Sequence, residues 1–209
     1  SQRTRFTNLL LADEINRAPA KTQSSLLEVM QELQVTIEGE SHKVAPPFMV
    51  LATQNPLEQE GTYPLPEAQL DRFLIKVSIE YPQFNDEIAL VRQVTGGQSR
   101  EKLDVDEVQA VMTLEDVEAL RQITAEIRID DQVLEYAVKL VCSTRDWPGI
   151  SIGAGTRGAI SLIRIARASA LLNGRDFVIP DDIKTMALPT LRHRITLTAE
   201  MEIEGYSHD

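Results

Sequence analysis

LLLADEINRAPAKTQSSLLEVMQE, residues 9–32, is the stretch whose reading decides the fold. Asn8-Leu9-Leu10-Leu11-Ala12 is a short, unbroken apolar run that stops abruptly at Asp13-Glu14. An apolar run without alternation belongs to a strand covered on both faces, which usually means a parallel sheet in an α/β protein. Residues 21–32 then predict a helix with Leu26, Leu27 and Met30 on one side. Two more apolar runs predict further strands: residues 48–52, which end in Thr53-Gln54-Asn55, and residues 73–77. Between the first two strands, Val35-Thr36-Ile37 and His42-Lys43-Val44 flank Glu38-Gly39-Glu40-Ser41, the pattern of a β-hairpin.

From Tyr81-Pro82 onward the periodicity becomes helical. Asn85-Asp86-Glu87 can open one helix. Thr113-Leu114-Glu115-Asp116 reads as a capping box opening another, with Val117, Leu120 and Ile123 at helical spacing. Residues 130–143 and 156–172 predict two more, the longer ended by Asn173-Gly174. Pro180 stands in the first turn of a last helix. The change of style predicts a division into residues 1–82 and 83–209.

Composition narrows the function. With 209 residues, 43% hydrophobic and 25% charged, the chain reads as a soluble globular protein of one large domain or two small ones. Its net charge of −11 repels phosphate backbones and argues against nucleic acid as a partner. A single cysteine, Cys142, excludes an intramolecular disulfide and reads as a small buried hydrophobe. His42, His193 and His208 lie too far apart for a metal-site spacing. No apolar run reaches the length of a membrane span and no signal peptide is visible, so a cytoplasmic location is the expectation.

Asp13-Glu14 carries the chemistry. The C-terminal ends of parallel strands are where open α/β sheets bind ligands. Two adjacent carboxylates there suit metal-assisted phosphoryl transfer, one holding Mg²⁺ through water and the other polarising the attacking water. Alone, the pair is a weak signal and more often marks a strand end followed by an acidic turn.

The surrounding sequence resembles one family. Residues 9–32 closely resemble the Walker B strand and following helix of MoxR-family AAA+ ATPases. LATQNPLEQEGTYPLPEAQLDRF, residues 51–73, resembles that family's sensor 1 strand and arginine-finger segment. The likeness is strong over residues 9–82 and continues, weaker, to about residue 204. It implies an α/β fold: a partial AAA+ P-loop core, whose parallel sheet lacks its phosphate-loop strand, followed by an all-α lid subdomain. It implies ATP and Mg²⁺ as cofactors, with Asp13 on the metal through water, Glu14 as the catalytic base and Asn55 as sensor 1. Arg72 corresponds to the arginine finger, which enters the neighbouring subunit's site. Arg157, in GAGTRGAISLIRIARASALL, corresponds to sensor 2 on the γ-phosphate. Here Thr156 and Gly158 replace the family's usual proline and alanine, while the arginine is retained. A cation at a helix N-terminus is disfavoured, so an anion beside Arg157 would explain it. The implied partners are copies of the chain in a ring, a hexamer, together with von Willebrand A domain proteins and client protein complexes.

No G-x-x-x-x-G-K-S/T phosphate loop occurs in the 209 residues, and Ser1-Gln2-Arg3-Thr4-Arg5 does not match the family well. The expectation is therefore a hydrolysis half-site that binds ATP poorly alone, with unpaired apolar strand edges that either pair with another copy or rearrange. Three alternatives remain open: a non-catalytic adaptor or oligomerisation fragment, a magnesium-chelatase-like subunit, and a helicase-like AAA+ subunit, the last two because they share the hairpin.

Overall fold

The computed structural model describes residues 7–37, 39–55, 63, 65–96 and 108–207. Ser1-Gln2-Arg3-Thr4-Arg5, Glu38, Gly97 and His208 lie outside the described residues, as does most of the segment between Asn55 and Leu65.

Two of the three expected strands form. β1 (Leu9–Ala12) and β4 (Met49–Ala52) pair in parallel, with Leu10 beside Val50 and Ala12 beside Ala52. Between them run α1 (Ala20–Glu32) and the hairpin β2 (Gln34–Ile37) and β3 (Glu40–Lys43), antiparallel as expected. Leu10, Ala12, Val50 and Ala52 point inward and pack with Ile15, Leu26, Val29, Val44 and Leu65. The other face of the pair carries Leu9, Leu11, Met49 and Leu51, all exposed. The unbroken apolar runs predicted two covered faces; one is covered among the described residues.

Residues 73–77 depart from the expectation. They form no strand, although their composition suits one. Several of their backbone polar groups find partners elsewhere. Phe73 N–H donates to Leu70 O at the end of α2 (Glu67–Leu70), and Lys76 N–H donates to Pro189 O. The carbonyls of Phe73 and Leu74 accept from side chains of the helical part. With no strand alongside among the described residues, the run hydrogen-bonds to that part instead of joining a ladder.

The helical part follows the expected order: α3 (Phe84–Thr95), α4 (Leu114–Glu126), α5 (Asp131–Asp146), α6 (Thr156–Leu172) and α7 (Pro180–Leu191). The Thr113 capping box forms with Asp116. Two short strands not foreseen, β5 (Ile150–Ile152) and β6 (Thr196–Leu197), pair antiparallel, and α8 (Ala199–Ile203) follows. Ala137, Val141, Leu162, Ala166, Ala170 and Ile183 fill the core between α5, α6 and α7. Alanines on α6 let its neighbours approach closely, and truncating Leu162 or Ile183 would cost about 2–5 kcal/mol. Asp182 is buried at the start of α7, accepting from Ile179 N–H, from Ser169 Oγ and from both terminal nitrogens of Arg175. The Arg175 guanidinium holds its carboxyl below the usual carboxylate range. Among the described residues no helix is long and apolar enough to cross a membrane.

Candidate functional site

The parallel pairing brings Asp13, Glu14 and Asn55 to one end of the β1–β4 sheet. Thr53 N–H donates to Ala12 O, and Ile15 N–H donates to Thr53 O, so the two strand ends leave the sheet locked together. Thr53 then holds both acidic residues. Its hydroxyl donates to Asp13 Oδ1 at 2.5 Å and accepts from the Glu14 backbone N–H at 2.8 Å. Glu14 has left-handed backbone angles, φ 47° and ψ 52°. A side chain in that region costs roughly 1–2 kcal/mol, and such strain collects at functional positions. The Glu14 carboxylate lies beside Arg17, at 3.1 Å in a solvent-exposed ion pair.

Below this rim, Asn16 Nδ2 donates to Asn55 O at 3.4 Å. Gln23, buried on α1, donates through Nε2 to Ile15 O and Tyr63 O. Neither Thr53 nor Gln23 stood out in the sequence. A threonine after a strand looks like any turn residue. The signal for Gln23 was a polar residue on the same helical face as Leu26 and Leu27.

The two candidate arginines lie apart from this cluster. Among the described residues, no hydrogen bond or ion pair joins Arg72 or Arg157 to Asp13 or Glu14. Arg72 follows α2, its N–H donating to Gln69 O at 3.2 Å. Arg157 sits exposed in the first turn of α6, which has no side-chain cap and no acidic residue. That helix start is fixed from behind. Thr144 Oγ1 accepts from Ala154 N–H at 3.0 Å, and Arg145 Nε donates to Ala154 O at 2.9 Å. A Cβ on Gly153 would lie 2.6 Å from Arg145 Cα, so only glycine lets the loop pass this close to α5. Among the described residues no anion partner for Arg157 appears. Its charge instead depresses the basicity of Arg194, after burial, which is the larger cause.

Residues 2–75 match the profile of the ATPase family associated with various cellular activities (AAA), and residues 142–209 match the AAA lid domain. The chain is 42% identical over 204 residues to the chaperone MoxR1 of Mycobacterium tuberculosis, covering 91% of this chain and 51% of that protein. The chain belongs to the MoxR family of AAA+ proteins. The uncharacterized protein YeaC of Bacillus subtilis is 46% identical over 198 residues, covering 95% of this chain and 60% of its own length. A crystal structure of an ATPase candidate from Cytophaga hutchinsonii superposes with a TM-score of 0.87 at 44% identity, covering 97% of this chain and 62% of that one. The chain thus spans between half and two thirds of the length of these relatives. The lid match begins inside α5 and takes in α6, α7 and α8, and the AAA match takes in the β1–β4 sheet and α1.

The MoxR lid carries a separate feature, an open apolar groove of about 400 Å³ lined by Leu140, Trp147, Leu188 and Ile195 among others. None of its lining residues is a candidate site residue.

Proposed function

We propose that this chain forms the Walker B-to-lid part of an ATP hydrolase, whose intact form works as a ring, a hexamer, to remodel or mature partner protein complexes in the cytoplasm. One observation carries the reading: Thr53 holds Asp13 and Glu14 in different postures on a single strand end. Asp13 is fixed by its Oδ1, as suits a group that grips a hydrated metal. Glu14 is turned outward, as suits a base that meets a water molecule.

The donor set fits part of a Mg²⁺–nucleotide site. Asp13 is exposed and its other carboxylate oxygen is available to metal-bound water. Bound Mg²⁺ would neutralise charge on the phosphates. Glu14 takes the proton of the attacking water, Asn55 orients that water or the γ-phosphate, and Arg157 reaches the γ-phosphate from the lid. Arg72 is the finger that serves the neighbouring subunit, since a guanidinium stays charged and matches phosphate geometry. The two separate hydrophobic clusters support a division near residues 82–83. The relative named chaperone MoxR1 supports client protein complexes as partners; von Willebrand A domain proteins are proposed beside them from the family resemblance alone.

The test is Glu14→Gln in the full-length protein. It should keep ATP binding, because Asp13 is untouched, and lose on the order of 10²–10⁴ in turnover. A variant hydrolysing at the wild-type rate would remove Glu14 from the mechanism.

A further inference from the structure

Arg194 is the most constrained side chain at the junction between the lid and the segment that carries Arg72. Its side chain is 1% exposed and pairs with the Asp71 carboxylate, Nε to Oδ1, at 2.8 Å. Nη2 donates to Asp71 O at 3.1 Å, to Phe73 O at 2.6 Å and to Ser161 Oγ at 3.2 Å. Nη1 donates to Leu74 O at 3.2 Å and to the Thr190 carbonyl. The guanidinium therefore grips the residue before Arg72 and both residues after it. The Arg72 guanidinium itself has no hydrogen bond or ion pair among the described residues.

The surroundings are built for this grip. His193 Nε2 donates to the same Phe73 carbonyl at 3.0 Å. Thr196 Oγ1 donates to Glu67 Oε1 at 2.7 Å, tying α2 to the lid as well. On the lid side a Cβ at Gly158 would stand 3.3 Å from Arg194 Cδ and 3.4 Å from Leu191 Cδ2. The glycine that replaces the family's usual alanine thus leaves the stem of Arg194 its space. A bare guanidinium buried at such a place is costly unless every donor is used, and here the fan of acceptors uses them.

We infer that Arg194 is a positioning residue for Arg72: it clamps the backbone on both sides of the finger to α7 and α6, so that movement of a subunit's lid moves the finger it offers to its neighbour. The inference rests on the reading of Arg72 as a finger acting in trans. Arg194 touches no substrate and acts only through the residues it holds. A lid that rotates on its own nucleotide carries Arg72 with it. A displacement of about 1 Å at a group that must meet a transferring phosphoryl costs on the order of 10²-fold in rate.

The experiment uses mixed rings of the full-length protein. Arg194→Lys keeps the charge but loses the planar fork that spans several acceptors. It should lower ATPase activity at least about tenfold, and mixing with Glu14→Gln subunits should restore part of it. Arg72→Ala should show the same recovery, because both defects then lie in what a subunit gives its neighbour. An Arg194→Lys ring with wild-type activity overturns the inference. So does loss without recovery while Arg72→Ala recovers, which would mean a defect in the subunit's own site. If Arg72→Ala itself fails to recover in proven mixed rings, the trans-finger reading falls and this inference with it. Asp71→Asn removes the carboxylate while leaving every backbone acceptor, and it decides the matter by the same mixing if Arg194→Lys does not fold.

Discussion

The hydroxyl of Thr53, just past β4, donates to the carboxylate of Asp13, just past β1, across 2.5 Å and 40 residues of sequence. The same oxygen accepts the Glu14 N–H, so one exposed hydroxyl sets the posture of both acids. Thr53→Val should free Asp13 and leave the Glu14 N–H without its acceptor, lowering stability by about 1 kcal/mol. In the full-length protein it should also cut ATP turnover, and Thr53→Ser should restore both. Chemical denaturation and a steady-state ATPase assay read the two effects. Equal behaviour of Val and Ser would mean that the hydroxyl does not set the acids.

Glu14 holds a backbone conformation that favours glycine, at φ 47°. Glu14→Gly should therefore stabilise the 209-residue chain by about 1 kcal/mol, offset slightly by the loss of the exposed pair with Arg17. Glu14→Ala should bring no such gain. Thermal melts of the two variants side by side give the answer. A lower melting temperature for Gly than for Ala would show that the turn is not strained.

His193 is buried against Phe73 O, where loss of hydration, then the Arg194 charge, pushes its pKa from the usual 6.5 to about 4. Nε2 carries the proton it donates, and Nδ1 is buried without a partner. The unfolded chain binds this proton below about pH 6.5 while the folded chain refuses it down to about pH 4. Stability is thus undiminished above pH 6.5 and falls with acidification through that window. The histidine's share should be roughly 2 kcal/mol between pH 7.5 and pH 5. His193→Gln, which can donate to the same carbonyl, should flatten that part of the curve in urea titrations. A curve no flatter than the wild type's would show that His193 titrates normally.

The 209-residue chain should bind Mg-ATP very weakly. It carries no phosphate-loop motif to supply a cradle of backbone N–H groups and a lysine, and Asp13 and Glu14 repel the triphosphate until Mg²⁺ arrives. Calorimetry reads this directly, and micromolar affinity would show that the half-site suffices.

Most of the helical part was legible before the structure, because its signals are local. The Thr113 capping box, the Gly174 stop and Pro180 in the first turn each act within a few residues, and α6 begins and ends where the pattern placed it. The strand at residues 73–77 was misread for the opposite reason. A strand is decided by its neighbour, and an apolar run cannot report whether a ladder partner stands beside it. The carboxylate pair was legible from its position after an apolar run. The grip of Arg194 on Asp71 was not, since the two lie 123 residues apart and an arginine closing the run Arg192-His193-Arg194 carries no mark of its partner.

The bare face of the β1–β4 sheet bears on how this polypeptide behaves in a tube. Leu9, Leu11, Met49 and Leu51 form one contiguous greasy panel on a molecule whose net charge is −11 and whose isoelectric point is near 4.8. Like charge keeps copies apart while its field reaches beyond contact, about 30 Å in 0.01 M salt and about 3 Å in 1 M. Added salt should therefore cloud the solution rather than clear it, as should titration toward pH 4.8. Light scattering at fixed protein concentration would follow that shelf life, which dilute, mildly alkaline buffer should prolong.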